Sequence, residues 1–249
     1  MKDLLNGWGA TAVVFLPLVG ALVLMAIPKS EETLHKVVAL VTSVAVFVVT
    51  IGLLANFDYD KGATLQFTQN KAWIELINSR YIVGLDGISL PLLALTVFVV
   101  PLVIIYSWNH FPEPHNPKAF LILTLILETG MVGSFMAQDL LLFFVFFEVV
   151  LLPMYFMIGV FGGEQRKYAA LKFFLYTAFG SALMIVAILA TYFLSPKMNV
   201  DGQMLHTFSM IELSKWGGAG LARSTAILIF GGFFMGFGIK VPMFPFHTW

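Results

Sequence analysis

Seven windows of about 20 mostly apolar residues run through the sequence and constrain its fold more than any other feature. A helix needs about 20 apolar residues to cross the hydrocarbon core of a bilayer. The windows cover residues 8–27, 34–55, 86–107, 119–137, 140–161, 168–194 and 224–247. Only 11% of the residues are charged, whereas about 25% are charged in soluble domains. The sequence therefore predicts an all-α polytopic membrane protein, in which residues 1–249 form a single transmembrane domain of about seven helices.

The charges and the cysteine count exclude several classes of function. The 14 acidic residues balance the 14 basic residues, so the sequence does not indicate a nucleic-acid partner. Without cysteine, the chain cannot form a disulfide or ligate an iron–sulfur cluster through thiolates. His35, His110, His115 and His206 are expected in loops and show no metal-ligand spacing. We therefore expect no cofactor and no metal in this chain, and we look for function at polar residues within the apolar windows.

Residues typical of helix ends support the boundaries of the windows. Pro28 ends the first helix, and the S-E-E run at residues 30–32 is expected to cap the second, with acidic side chains at its positive end. Asp86 and Asp139 occupy N-cap positions before the third and fifth helices. We interpret these two aspartates as caps rather than as catalytic residues.

Two connections are long enough to form structure outside the membrane. In residues 56–85, the segments T-L-Q-F-T and Y-I-V alternate in polarity and predict a small hairpin. In residues 195–223, S-M-I-E at 209–212 predicts a capping box that begins a short helix. The total of basic residues favours an N-terminus inside, but the densest cluster in a short loop, residues 166–172, favours an N-terminus outside. We expect the N-terminus outside.

Glu148 is the only charged residue of the fifth window and lies near its middle. A charged side chain at a helix centre costs roughly 2.5–3.5 kcal/mol on insertion scales, so it persists only where it is neutralised, paired or facing water. Pro153 cannot donate to the carbonyl of Val149, which leaves a free acceptor near the carboxyl group. The structural alternative is a glutamate that hydrogen-bonds between helices, although an apolar residue would pack there with less risk.

Lys240 stands in the run F-G-I-K-V-P-M-F-P-F, residues 237–246. The two prolines of this run cannot donate to the carbonyls one turn earlier, so the sequence predicts a broken seventh helix with free carbonyls flanking the lysine. Upstream, Gly232 and Gly236 allow another helix to approach closely. A lysine in a broken helix holds its proton less tightly when a carboxylate partner withdraws. The alternative is a lysine that only snorkels from the helix end.

Three further polar residues are candidates for a proton relay. Glu128 lies nearly mid-span in the fourth window, where it serves either proton transfer or interhelical packing. Lys172 opens the sixth window about 9 Å along the helix from Arg166, so it either reaches a polar cavity or snorkels to the interface. Histidine titrates near neutral pH, so His247 is either a relay group or an interface residue.

Four segments together resemble a known family of membrane proteins. They are V-G-L-D-G-I-S-L-P-L (83–92), A-Q-D-L-L-L-F-F-V-F-F-E-V-V-L-L-P-M-Y-F-M-I-G (137–159), R-K-Y-A-A-L-K-F-F-L-Y-T (166–177) and K-V-P-M-F-P-F-H-T-W (240–249). These segments are similar to the antiporter-like proton-pumping subunits of respiratory complex I, and most similar to the N-terminal half of the M-type subunits of bacterial NADH:quinone oxidoreductases. The resemblance runs from about residue 80 to the end of the sequence, and the first eighty residues match only in pattern.

The resemblance implies a fold and a site. The fold would be the first part of an antiporter-like arrangement of about fourteen helices in two inverted repeats, with the N-terminus outside. The terminal motif of the family continues past H-T-W, so we expect this chain to be a fragment or to lack its second half. The site would be a proton-translocating pair, which falls on Glu148 and Lys240, with Lys172 as a neighbour.

The resemblance also implies partners. The chain would be a multi-pass subunit of a proton-translocating NADH:quinone oxidoreductase in a bacterial inner membrane, beside other membrane subunits of complex I. FMN, iron–sulfur clusters and quinone would belong to partner subunits, and electron transfer there would drive the glutamate–lysine pair electrostatically.

Two other functions remain open at this point. A subunit of a multisubunit Na⁺/H⁺ antiporter would share this ancestry and the same pair, although the run W-I-E-L-I…Y-I-V-G-L-D-G-I-S-L (73–90) favours the respiratory subunit. A passive membrane scaffold would tolerate apolar replacement of both charged residues. An enzyme that itself binds NADH or quinone is least favoured, because the sequence has no cofactor motif.

Overall fold

Helices make up most of the chain, whose computed structural model describes residues 5–200 and 203–249. The helices are α1 (Ala10–Ala26), α2 (Glu32–Asn56), α3 (Ser89–Ser107), α4 (Pro117–Met136), α5 (Leu140–Val149), α6 (Leu151–Phe161), α7 (Arg166–Leu194), α8 (Met210–Trp216) and α9 (Arg223–Lys240). The strands are β1 (Gln66–Ile74), β2 (Ser79–Leu85), β3 (Met198–Val200) and β4 (Gln203–Leu205). A π-helical turn, Leu5–Gly9, precedes α1.

Six helical segments of the described chain are long and apolar enough to cross a membrane. They are Gly7–Ala26, Glu32–Asn56, Ser89–Ser107, Pro117–Met136, Leu140–Phe161 and Arg166–Leu194. These segments coincide with the first six predicted windows to within a few residues. The prediction of an all-α polytopic membrane protein is therefore confirmed, although two small antiparallel hairpins accompany the helices.

The seventh predicted window differs from the structure at its end. The window reached residue 247, but α9 ends at Lys240 and residues 241–249 form turns. Arg223 and Lys240 place one charge at each end of this 18-residue helix, which is not among the six apolar segments. Pro242 and Pro245 lack the N–H groups that would continue the helix, which explains its end.

The fifth window forms one span that is interrupted in its middle. Val150 separates α5 from α6 and keeps helical dihedral angles, with φ −62° and ψ −29°. Pro153 has no N–H to donate to the carbonyl of Val149, so the hydrogen-bond ladder is broken at this level. The break therefore lies at Val150, two residues after Glu148.

The packed interior consists of three apolar clusters. Two of them lie in the bundle of α1 to α4, one around Leu24, Ile104 and Leu125, the other around Val14, Leu93 and Met136. The third joins α5 and α7 to the segment before α8, and its fully or nearly fully buried members are Phe147, Met184, Ile188, Tyr192 and Phe208. This third cluster holds the helix of Glu148 against α7.

Glycines bring α7 and α9 close together, as the Gly232-x-x-x-Gly236 spacing predicts. A Cβ atom at Gly232 would lie 2.8 Å from Cβ of Ala187, and one at Gly236 would lie 2.7 Å from Cβ of Met184. Such distances leave no room for a side chain. The close contact determines where the C-terminal end of α9 lies relative to α7.

Both long connections contain a hairpin, and the two hairpins touch. Strand β1 pairs with β2 in antiparallel register, from Gln66 opposite Leu85 to Ile74 opposite Ser79. The second connection contains β3 and β4, which the sequence did not predict, followed by α8. Asn78 Nδ2 donates a hydrogen bond of 3.0 Å to the carbonyl of His206. The two connections therefore lie at the same end of the bundle.

Some predicted caps form and others do not. Asp139 caps α5, and Asp86 accepts hydrogen bonds from the N–H groups of Ile88 and Ser89 at the start of α3. In contrast, neither Glu31 before α2 nor Ser209 before α8 makes a side-chain capping bond. Glu212, the other half of the predicted capping box, instead pairs with Lys215 at 2.8 Å. The carboxylate of Glu212 therefore contacts a side chain of its own helix and not the N–H groups at the start of α8.

His35 does not lie in a loop, contrary to the prediction. It belongs to the first turn of α2 and is buried, and its Nε2 atom has no hydrogen-bond partner in the described structure. The described residues contain no cluster of three or more histidine, cysteine, aspartate or glutamate side chains that could hold a metal.

Candidate functional site

Glu148 and Lys240 lie next to each other although 91 residues separate them in the sequence. Lys240 Nζ is 3.9 Å from Glu148 Oε1, and the two side chains are 19% and 26% exposed. The other ion pairs of the described chain involve residues at helix ends or in loops. This pair is therefore distinguished by its position, in the middle of a span on one side and at the end of α9 on the other.

Ser181 of α7 completes the environment of the glutamate. Its hydroxyl donates a hydrogen bond of 2.5 Å to Glu148 Oε1, the same oxygen that faces Lys240. Ser181 is buried and follows Gly180, whose backbone lies against Ile239 and Met235 of α9. A hydroxyl at this place stabilises the carboxylate independently of the lysine.

Phe147 provides two interactions for the lysine. Lys240 Nζ donates a hydrogen bond to the backbone carbonyl of Phe147, and the ammonium also lies 3.6 Å from the centroid of the Phe147 ring. The rings of Phe143 and Phe237 pack against Phe147, with centroid distances of 5.4 and 5.9 Å. The ammonium is therefore held by a carbonyl, an aromatic face and a carboxylate in an otherwise apolar setting.

Of the two carbonyls that the prolines are predicted to leave free, those of Gly238 and Val241, the first is bonded. The carbonyl of Gly238, which Pro242 cannot reach, accepts a 2.8 Å hydrogen bond from the N–H of Met243. The carbonyl of Ile239 accepts a 2.7 Å bond from Nε1 of Trp249. Backbone turns and a tryptophan thus satisfy these groups, and the acceptor for the lysine comes from α5.

Glu128 is buried in a different part of the bundle. It lies on α4 between the two apolar clusters of α1 to α4, has 0% exposure, and neither carboxyl oxygen has a hydrogen-bond partner in the described structure. Gly130, two residues later, packs against the junction of α5 and α6. Residues two apart project from nearly opposite sides of a helix, so Glu128 points away from α5. The structure does not bring it into contact with the pair.

Lys172 and His247 make no contact with the pair in the described residues. Lys172 lines a shallow apolar groove on α7 with Tyr168 and Tyr176. It lies nine residues before Ser181, about 13 Å along the helix. The ring of His247 is exposed and stacks on Phe244 at a centroid distance of 5.7 Å. Their roles as neighbour and relay stay predictions.

Ser181 and the carbonyl of Phe147 are the two site groups that sequence reasoning missed. Serines inside membrane helices usually bond to their own backbone, and several hydroxyl groups in this chain do so, for example Thr177 and Ser134. Nothing in the sequence separates Ser181 from these residues. Only the packing of α5, α7 and α9 identifies it.

Two protein families, one for each half of the sequence, together match almost the whole chain. Residues 13–134 match the family described as NADH-ubiquinone oxidoreductase chain 4, amino terminus. Residues 137–249 match the family described as NADH:quinone oxidoreductase/Mrp antiporter, TM. All five predicted site residues lie within these two ranges.

Curated relatives match along nearly the full chain. NADH-quinone oxidoreductase subunit M of Rhodobacter capsulatus is 39% identical over 241 residues, which are 95% of this chain and 46% of the relative. NAD(P)H-quinone oxidoreductase chain 4 of a Picosynechococcus strain is 36% identical over 250 residues, 100% of this chain and 44% of the relative. The chain thus spans less than half the length of these relatives.

Solved structures share the fold. A chain of respiratory complex I from Thermus thermophilus has a TM-score of 0.78 and 28% identity, with 96% of this chain and 45% of the other covered. A chain of the Mrp complex from a Dietzia strain has a TM-score of 0.75 at 14% identity, with 98% of this chain and 24% of the other covered, which shows a common fold alone.

Proposed function

The chain belongs to the family of antiporter-like membrane subunits of NADH:quinone oxidoreductases, and from this premise we propose that Glu148 and Lys240 form its proton-translocating pair. The observation that carries the proposal is the 3.9 Å approach of Lys240 Nζ to Glu148 Oε1 in the interior of a helical membrane protein. Charged groups within a membrane are costly and are retained mainly along ion and proton pathways.

The geometry supports an electrostatic mechanism. Two unit charges about 4 Å apart interact by roughly 4 kcal/mol where the effective dielectric constant is about 20. Separation of the pair removes this stabilisation of the ammonium, and Lys240 then holds its proton less tightly. When the carboxylate returns, the lysine binds a proton again. Changes in the distance between these two groups would in this way move a proton with each cycle.

Each member of the pair has a second partner that makes separation feasible. Ser181 donates to the carboxylate, and the carbonyl and ring of Phe147 hold the ammonium. An unpaired buried charge costs several kcal/mol when nothing else solvates it. These neutral groups lower that cost, so the pair can open and close without leaving either charge unsolvated.

Glu128 is our proposal for a further relay group. A carboxyl group with no exposure and no partner is expensive if packing is its only role. It faces the interior of the α1 to α4 bundle rather than the pair, so water or a rearranged side chain would have to complete the route. Lys172 and His247 would join such a route only in another conformation.

The complete protein would work as one subunit of a larger assembly. We propose that it lies in a bacterial inner membrane beside other membrane subunits of an NADH:quinone oxidoreductase, whose other subunits hold FMN, iron–sulfur clusters and quinone. Electron transfer in those subunits would drive the opening and closing of the pair. No redox step is assigned to the residues of this chain.

Substitution of the pair in the full-length protein tests the proposal. Proton translocation into inside-out membrane vesicles, driven by NADH, would be measured for Glu148→Gln and Lys240→Ala. We expect at least a roughly tenfold loss in each, because removal of one partner leaves the other charge buried and unpaired. The matched controls are Glu164→Gln, in the loop between α6 and α7, and Lys167→Ala, in the first turn of α7, both at exposed positions. Full translocation in both pair variants would refute the proposal and would favour the passive scaffold.

The second candidate is a subunit of a multisubunit Na⁺/H⁺ antiporter. The family that matches residues 137–249 includes Mrp antiporters, and the fold is shared with a chain of an Mrp complex. A Na⁺-dependent pH gradient in vesicles without NADH, and purification without redox subunits, would favour this function over the respiratory one.

A further inference from the structure

Asp139, the residue before α5, is completely buried. Its Oδ1 accepts hydrogen bonds from the N–H groups of Leu141 at 3.0 Å and Leu142 at 3.1 Å, and from Ser79 Oγ at 3.2 Å. Its Oδ2 accepts a 3.0 Å bond from the N–H of Arg80. The same carboxylate therefore caps α5 and connects it to the first two residues of β2.

The backbone of this turn is held from two sides. The N–H of Gln138 donates to the carbonyl of Ile82 at 2.8 Å, and the carbonyl of Gln138 accepts a 2.9 Å bond from the N–H of Met210. The N–H of Leu140 donates to the carbonyl of Phe208 at 2.9 Å. The connection between α4 and α5 is thus clamped between β2 and the start of α8.

Helix capping alone does not explain an aspartate at this place. Burial raises the pKa of the Asp139 carboxyl, and the hydrogen bonds from Arg80, Leu142, Ser79 and Leu141 oppose this effect. The guanidinium of Arg80 donates to Asn70 instead. Serine caps helices about as well as aspartate and carries no charge that must be buried. The second carboxylate oxygen is needed only for the bond to the hairpin.

We infer that Asp139 is a positioning residue, which ties the hairpin of β1 and β2 to α5 and so determines the depth and rotation of Glu148. This inference rests on the proposed function. Glu148 lies nine residues after Asp139, about 13 Å along the helix, and α5 is continuous between them. A continuous helix transmits a shift of its first turn to its end. A displacement of about 1 Å at a reacting group can lower a rate by roughly a hundredfold.

The deciding variant is Asp139→Ser in the full-length protein within its membrane complex. The serine hydroxyl still caps α5 but is too short to bond the hairpin as well. We expect proton translocation per NADH oxidised to fall roughly tenfold. We also expect the pH profile of translocation to shift, because Glu148 meets Lys240 and Ser181 in a changed geometry. A loss of stability alone would lower the amount of active complex without moving this profile.

Asp86→Ser is the matched control. Asp86 caps α3 by accepting from Ile88 at 3.0 Å and Ser89 at 2.7 Å, and all of its described hydrogen bonds stay within this turn. The exchange of aspartate for serine there changes a cap without changing a link between elements. We expect its translocation and pH profile to remain those of the unmodified protein.

Ser79→Ala keeps the test decisive if Asp139→Ser lowers assembly. It removes one bond between the hairpin and the carboxylate and leaves the cap intact, so we expect a roughly threefold loss with normal assembly. Full translocation with an unchanged pH profile in Asp139→Ser, or in Ser79→Ala where Asp139→Ser does not assemble, would overturn the inference and leave the proposed function intact. Full translocation in both Glu148→Gln and Lys240→Ala would instead refute the proposed function itself.

Discussion

At the scale of single residues, the site consists of a pair of opposite charges with neutral partners on either side. Glu148 is bonded by Ser181, and Lys240 is bonded by the carbonyl of Phe147. The pair distance of 3.9 Å is longer than that of a tight salt bridge, whereas both neutral contacts are short. The neutral partners are therefore as much a part of the site as the charges.

Replacement of Ser181 tests this view. Ser181→Ala removes the only hydroxyl that the described structure places on Glu148, and a hydrogen bond to a charged group contributes about 1.5–3 kcal/mol. We expect proton translocation to fall roughly tenfold. Ser181→Thr keeps a hydroxyl and should restore most of the activity. Ser134→Ala is the control, because among the described residues the hydroxyl of Ser134 bonds to its own helix, at the carbonyl of Gly130.

At the scale of secondary-structure elements, the contact between α7 and α9 brings Lys240 to the helix that carries Ser181, the hydroxyl partner of Glu148 on α5. Gly180, Gly232 and Gly236 leave no space between the two helices. Ser181 follows the first of these glycines, and Lys240 follows the last by four residues, one helical turn. The helix contact and the site are thus parts of the same local packing.

Two glycines of α9 allow a controlled test of this contact. A side chain at Gly236 would collide with Met184, whereas a Cβ atom at Gly231 has no other atom within 4 Å. Overpacking typically costs 1–3 kcal/mol, so we expect Gly236→Leu to lower the thermal midpoint of the purified protein by several degrees and to reduce translocation. Gly231→Leu should leave both unchanged. Equal thermal midpoints of the two variants would contradict the close packing of α9 against α7 at Gly236.

At the scale of the whole molecule, three connections meet at one end of the bundle. The hairpin of β1 and β2, the turn of residues 137–139 and the segment before α8 are joined by hydrogen bonds. With an outside N-terminus, all three would lie outside. The other connections, after α1, α3 and α6, would lie inside.

The absence of cysteine from these 249 residues makes this arrangement testable by labelling. Leu76→Cys and Met204→Cys place a thiol on exposed positions of the two hairpin-bearing connections, and Glu164→Cys places one on an exposed position of the loop between α6 and α7. We expect a membrane-impermeant maleimide added to intact cells to label the first two and not the third. Labelling of Glu164→Cys alone would show that the N-terminus lies inside. Labelling of Leu76→Cys but not of Met204→Cys would contradict the contact between the two hairpins.

The sequence by itself determined the first six apolar helices and their limits to within a few residues, because the thickness of a bilayer sets their length and the absence of water demands their hydrophobicity. It also marked Glu148 and Lys240, since a charge in such a helix is costly wherever it points. Only the tertiary structure decided what these charges touch. Ser181 and the carbonyl of Phe147 are ordinary groups in the sequence, and they become partners because glycines bring α9 against α7 and both helices contact α5 at Phe147 and Glu148. Contacts between residues far apart in the chain depend on packing, which no local pattern records.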